Sequence, residues 1–298
     1  MTEFMKNAER KINKKKAAAL WGMAALFVIA LCLTCFFLFG AKTPLHASCE
    51  AHFIDVGQGD CTLLITENAA VVVDAGPGDA WKDTVRYIQS YTNTIDYLIL
   101  THPHGDHIGG AAQIVSRLQV KNVIMTDAES DITAYTQLQE ELSKRKVNVI
   151  SAVPGSIYTL GELQITLLAP LAPLASPEEL NEYSIVTLAR YGEASVLLTG
   201  DAENDEEAQM LSEYGSALQA DILKLGHHGS RTSSGRQFLA AVAPRYAIAS
   251  CGKDNEFEHP HQETMERAAA LDIPVLRTDE MGSIVFATDG EEWTLIEN

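Results

Sequence analysis

The chain has 298 residues, 46% of them hydrophobic, which allows one large domain or two small ones with an ample core. Its net charge of −18 is unevenly placed: the first 41 residues carry six of the 22 basic side chains and two of the 40 acidic ones, leaving 16 basic against 38 acidic, a net of −22. A surface that acidic repels phosphate backbones and argues against tight binding of long DNA, while divalent ions at a site would reverse the sign locally and admit small phosphoesters.

Residues 1–16 form a basic segment, and residues 17–40, Ala17 to Gly40, contain no charged side chain. Twenty-four such residues suffice for a helix across a bilayer core of roughly 30 Å. The positive-inside bias keeps the basic segment cytoplasmic and sends the rest of the chain across a cell membrane as a single-pass protein. A cleaved signal peptide has a shorter apolar core, so an uncleaved anchor is expected. Residues 41–49 are then a tether and 50–298 the folded, extracytoplasmic domain. Cys32 and Cys35 lie in the apolar segment. The remaining Cys49, Cys61 and Cys251 are no disulfide framework, and a Cys49–Cys61 bridge is the one pairing an oxidising compartment would allow.

In the domain, Ala51–Val56, Cys61–Thr66 and Ala70–Asp74 read as a strand meander. Gly57-Gln58-Gly59 leads into another strand and not into a helix, which excludes a dinucleotide-binding turn. A helix over Asp83–Tyr91 and a strand over Tyr97–Leu100 follow. Helix 108–118, strand Asn122–Met125, helix Thr133–Lys146 and strand Val147–Ile150 continue an alternating order. Residues 157–168 form a hairpin and Leu171–Pro177 a connector. The second half repeats the theme with strands Ser184–Arg190 and Ala194–Leu198, helix 203–213, strand Ile222–Leu225 and helix Arg236–Ala241. Strand Tyr246–Ser250, helix 262–270 and strands Ile284–Ala287 and Trp293–Ile296 close the chain. Meanders leading into alternating units suit an α/β (α+β) architecture of four layers, two central sheets with helices outside.

The richest stretch is Thr101-His102-Pro103-His104-Gly105-Asp106-His107, directly after an apolar strand. His102 and His104 alternate on an extended segment and point to one side. Asp106 and His107 follow a turn that Gly105 eases, and face a second point nearby. Two plus two ligands suit a pair of metal ions. Seven of the nine histidines fall in three short strings, the others being His227-His228 and His259 with His261. His46 and His52 stand alone and read as structural.

His-x-His-x-Asp-His after a hydrophobic strand resembles the signature of the metallo-β-lactamase-fold hydrolases. With Phe53–Asp60, Leu198-Thr199-Gly200-Asp201 and Leu225-Gly226-His227-His228-Gly229-Ser230, the chain is similar to the C-terminal hydrolase-like domain of ComEC-type competence proteins, over residues 50–296. The resemblance implies the αββα sandwich, with Asp201 bridging both ions and Asp74 supporting the ligand loop. One imidazole of the 227–228 pair completes the position that Asp106 and His107 begin. His227 is assigned to the metal and His228 to substrate orientation or protonation of the leaving oxygen, and the two roles are exchangeable. Ser230, His259 and His261 are placed at the substrate rim, although His259–His261 also reads as a loop capping helix 262–270. No histidine lies between His107 and His227, so the first ion would have only His102, His104 and Asp201, plus water, and Asn181-Glu182-Tyr183-Ser184 stands where the competence-type branch has a similar Asn/Ser string. That argues against a true β-lactamase. Mixed imidazole and carboxylate ligation suits Zn²⁺ or Mn²⁺.

The expected activity is hydrolysis by a metal-bound hydroxide with Asp106 in the catalytic set, on a phosphodiester of small phosphoester or nucleotide type. A lactonase or amide hydrolase on the same site, or a tethered binding or scaffolding domain with little turnover, are the alternatives.

Overall fold

The computed structural model describes residues 48–171 and 179–296. The expected membrane helix 17–40, most of the tether and nearly all of the Leu171–Pro177 connector lie outside the described residues. Among the described residues no helix is long and apolar enough to cross a membrane.

The first half runs β1 (Cys49–Phe53), β2 (Thr62–Thr66), β3 (Ala70–Val73), α1 (Trp81–Tyr91), β4 (Thr94–Leu100), α2 (Gly105–Ile108), α3 (Ala111–Arg117), β5 (Gln119–Met125), α4 (Thr133–Arg145) and β6 (Asn148–Ser151). The second runs β7 (Ile157–Leu160), β8 (Leu163–Leu167), β9 (Thr187–Tyr191), β10 (Ala194–Leu198), α5 (Asn204–Tyr214), β11 (Ile222–Lys224), α6 (Arg236–Val242), β12 (Tyr246–Ala249), α7 (Gln262–Ala269), β13 (Val275–Arg277), α8 (Thr278–Met281), β14 (Ile284–Thr288) and β15 (Thr294–Ile296). One sheet has the order β15-β14-β1-β2-β3-β4-β5-β6 and the other β13-β12-β11-β10-β9-β8-β7. Each is antiparallel on one side and parallel on the other, from β3 to β6 and from β10 to β13.

Period-two alternation on strands buried on both faces makes the four layers. Val71 and Val73 of β3 join a central core with Ile99, Ile124, Val196, Leu198, Ile222 and Ile248, all between the sheets. Val72, Leu98, Leu100 and Val123 face the other way, onto Val85, Ile88, Ile114 and Leu138 of α1, α3 and α4. Leu197, Leu223 and Ala247 likewise meet Met210, Phe238 and Leu239 of α5 and α6. Each such side chain contributes about 1.5–3 kcal/mol by leaving water, so apolar runs such as Val-Val-Val and Leu-Ile-Leu hold a strand between two cores at once.

The structure departs from the sequence expectations locally. The helix expected over 108–118 starts at Ala111, and a separate helical turn, Gly105–Ile108, stands in the ligand loop before it; Gly110 N donates to the Gly76 carbonyl at 3.0 Å and Ala75 N to the His107 carbonyl at 2.7 Å between them. A side chain at Gly110 would strike the Ala75 carbonyl, so the chain is pressed against the loop leaving β3. Helix α4 ends at Arg145 because Lys146 turns left-handed at φ 54°. The short β13 and α8 were not foreseen, since three or four residues show no period. Cys49 and Cys61 are separate buried thiols. Cys49 pairs with Thr66 across β1 and β2, and the Cys61 carbonyl bonds Ile54 N at the other end of the hairpin. Five residues of extended strand, roughly 17 Å, separate them, which rules out the bridge.

Candidate metal centre

Four loops at the carboxyl ends of β3, β4, β10 and β11 meet at one end of the two sheets, the position where open α/β sheets place their ligands. His102 leaves β4 fully buried, with Nδ1 3.1 Å from Thr101 Oγ1 and 3.4 Å from Ser184 Oγ. Its Nε2 therefore faces inward, 2.9 Å from His104 Nδ1 and 3.8 Å from Asp201 Oδ2. His102, His104 and Asp201 form one group of donors able to hold an ion.

A second group includes His107, Asp201 and His228. His107 Nδ1 donates to Asp74 Oδ2 at 2.8 Å, leaving Nε2 3.2 Å from Asp201 Oδ1 and 3.9 Å from Asp106 Oδ2. Asp74 is itself held by Thr101, whose N–H and hydroxyl each donate to it at 2.8 Å. His228 Nδ1 donates to the Ser250 carbonyl at 2.9 Å, and its Nε2 lies 3.2 Å from Asp106 Oδ2 and 3.7 Å from Asp201 Oδ2. Anchoring one ring nitrogen fixes the tautomer and frees the other for a cation. His107 Nε2 and Asp201 Oδ1 are buried without a hydrogen-bond partner, as donors waiting for an ion would be.

Asp60 belongs to this second group by proximity and was not singled out from the sequence. Its oxygens lie 3.4 Å from His228 Nδ1 and 3.9 Å from His107 Nδ1, on the anchored side of both rings, and it is ion-paired with buried Lys224. Asp106 approaches the free Nε2 side and is the better ligand by direction. Four carboxylates (Asp60, Asp74, Asp106 and Asp201) thus converge with one ammonium, a net −3 that the pocket cannot leave uncompensated. Divalent ions held by these donors would offset it.

The titration shifts carry the same message. Burial opposes a charge on His107, but Asp201, Asp74 and Asp106 outweigh it and hold the imidazole well above its usual range. His228 is likewise raised to about 9 against burial, by Asp201 and Asp60 with help from Asp106. Burial and the neighbouring His107 push His102 well down, so it stays a neutral donor. Burial would raise Asp201, yet His107 and His228 keep it ionised far below its ordinary value. Protons on two rings stand where a cation is wanted.

The pair of histidines after β11 needs correction. His228, and not His227, reaches Asp106. With both nitrogens engaged and 1% exposure, His228 has none free to protonate a leaving oxygen. His227 turns the other way, its Nδ1 2.9 Å from Glu203 Oε1 and its Nε2 3.7 Å from Asp201 Oδ2. Both residues sit left-handed, at φ 46° and 55°, a conformation that costs each about 1–3 kcal/mol. Gly229 allows a close approach to Pro260, since a Cβ there would lie 2.6 Å from Pro260 Cβ.

Ser230 is turned into its own loop, its hydroxyl 2.9 Å from Thr232 Oγ1. The His259 ring stands 5.3 Å from His227 and 6.0 Å from His228, lining the rim, and burial together with His228 lowers it to about 4. His261 is the N-cap of α7 through its backbone carbonyl, which accepts from Thr264 N at 3.1 Å and Met265 N at 3.2 Å, while its Nδ1 accepts from Arg231 N at 3.1 Å. Asn181 and Ser184 do enter the site: Asn181 donates to Glu203 at 3.2 Å, and Ser184 Oγ accepts from Asp201 N at 3.0 Å. Lys224 and Glu203 were missed as well. Lys224 was hidden inside a strand pattern, whereas Glu203, two residues after Asp201, was readable as a neighbour. His52 is buried between Tyr87 and Glu50, as a structural residue would be.

The model of the metallo-beta-lactamase superfamily matches residues 54–253. Among curated proteins, ComE operon protein 3 of Bacillus subtilis is 29% identical over 86% of this chain and 35% of its own length. Competence protein ComA of Neisseria gonorrhoeae is 30% identical over 78% of this chain and 31% of its own. The chain thus spans about a third of the length of these relatives. The crystal structure of the metallo-beta-lactamase fold protein YhfI from Bacillus subtilis superimposes with a TM-score of 0.55 at 14% identity, covering 81% of this chain and all of that one. The sandwich, two donor groups sharing Asp201 and the matching family model make this chain a member of the metallo-beta-lactamase superfamily, related over most of its length to the ComEC-type competence proteins.

Proposed function

We propose that the domain is a metal-dependent hydrolase of phosphoesters, held outside the cell membrane by a helix at 17–40. The observation that carries it is the arrangement around Asp201, whose carboxylate lies 3.8 Å from His102 Nε2, 3.2 Å from His107 Nε2 and 3.7 Å from His228 Nε2, with Nδ1 of all three rings anchored elsewhere. His102, His104 and Asp201 would hold one ion, with His227 Nε2 directed at the same carboxylate oxygen as a further imidazole. Asp106, His107, Asp201 and His228 would hold the other. Zn²⁺ and Mn²⁺ both suit these donors. Bound there, two such ions supply an acidified water and polarise the substrate's phosphoryl group.

The chain's own residues do the rest. Asp74 and the Ser250 carbonyl orient His107 and His228. Glu203 orients His227, which is a quarter exposed. His259 lines the rim as a neutral ring and contacts the substrate. The acidic surface favours short substrates over duplex DNA. The names of the competence relatives support a nucleic-acid-derived phosphoester.

The test is hydrolysis of a chromogenic phosphodiester by wild type and Asp106→Ala, with and without Mn²⁺ or Zn²⁺. Turnover lost on chelation and lost in the variant supports the reading. Turnover of lactones or amides alone moves the substrate class. Stoichiometric metal without turnover of any ester would make the domain a binding module.

A further inference from the structure

The buried Asp60–Lys224 pair sits against the centre, with Asp60 on the anchored Nδ1 side of His107 and His228. Lys224 ends β11 and is 2% exposed. Its ammonium donates to the Gly200 carbonyl at 2.9 Å, is ion-paired with Asp60 Oδ2, and stops 3.8 Å from Asp201 Oδ1. That oxygen is the one facing His107 Nε2 at 3.2 Å. The ammonium and the second ion therefore contend for one oxygen atom. Asp60 is rigidly placed: its N–H donates to the Asp106 carbonyl at 3.2 Å and its carbonyl accepts from Gly76 N at 2.8 Å.

We propose that Asp60 is a positioning residue that restrains the Lys224 ammonium, and that the pair sets how tightly the second position binds its ion. This rests on the two-ion reading above. With Asp60 in place, Lys224 is held off Asp201 Oδ1, and its fixed positive charge moderates the affinity for a cation. Without Asp60, the freed ammonium pairs with Asp201 and competes with the ion. Without Lys224, the same position becomes more negative and binds more tightly. A structural role alone predicts loss in both cases, because removing either partner strands a buried charge.

The experiment is titration of the chelator-stripped full-length chain with Co²⁺, followed by visible absorption and metal analysis, with circular dichroism to confirm folding. In wild type two ions bind. Asp60→Asn weakens the second by at least about tenfold and leaves the first unchanged, whereas Lys224→Met tightens the second by at least about tenfold. The double variant returns to within about threefold of wild type, as coupled charges require. Should Lys224→Met fail to fold, Asp60→Asn and Asp60→Asn with Lys224→Gln carry the same contrast. Wild type taking two ions while Asp60→Asn binds as wild type, or Lys224→Met loosening the second ion, overturns the inference alone. A wild type that takes no second ion removes the two-ion reading and this inference with it.

Discussion

The two donor groups around Asp201 are built differently. In the first, His102 is braced by hydroxyls, Thr101 at 3.1 Å and Ser184 at 3.4 Å. In the second, His107 is tied to a buried carboxylate at 2.8 Å and His228 to a backbone carbonyl at 2.9 Å, with Asp60 behind both. Hydrogen bonds to a charged group are worth about twice those between neutral ones. The second position is therefore the more firmly organised, and the first is expected to empty sooner as metal becomes scarce.

The largest effect belongs to the residue the two positions share. Asp201→Ala removes a ligand from both, and metal analysis is expected to fall from two ions to fewer than one, with turnover down by about a thousandfold or more. Retention of both ions would break the comparison at its centre. Asp74→Ala is next: it frees the His107 ring and costs the second position about 10–100-fold in affinity, sparing the first, as resolved by Co²⁺ titration. Ser184→Ala acts mainly in the other direction, weakening the first position by up to about tenfold through the lost contact to His102, with a smaller loss at the second through the Asp201 N–H it no longer holds. Equal losses from these two variants at both positions would erase the distinction drawn here.

The second position also carries a pH dependence. His228 has an ordinary value of 6.5, raised in the folded chain to about 9. Below 6.5 its proton contributes stability to the metal-free chain in full, and that contribution is lost as pH rises through about 9. Metal must displace the same proton, so the second position gains affinity over that interval. The metal-free melting temperature is expected to fall from pH 6.5 to 9 while the rise produced by Mn²⁺ or Zn²⁺ grows. A metal-induced rise that shrinks over this interval contradicts the assignment of His228 Nε2 to the ion.

Much of this was readable from residues alone. Apolar runs such as Tyr97–Leu100 and Val196–Leu198 mark strands packed on both faces, and the ligand types that follow them mark the end of the sheet where a site forms. The string His102–His107 showed its own geometry, because alternation on an extended segment and a turn at Gly105 are local. What was not readable is set by contacts distant in sequence. Which of His227 and His228 faces Asp106 depends on two consecutive left-handed residues and on the Ser250 carbonyl, none of which leaves a mark in residue type. Asp60 looked like a turn residue because its partner Lys224 is 164 positions away, in a strand pattern where a lysine reads as solvent-facing. The split between α2 and α3 has the same origin, a backbone clasp with the loop at Ala75 and Gly76.

The most direct measurement is anomalous diffraction from a crystal of the protein grown with Mn²⁺ or Zn²⁺. The account predicts two peaks flanking Asp201, one against His102 and His104, the other against Asp106, His107 and His228. A single peak, or a second one seated against Asp60 with Asp106 turned away, would contradict it.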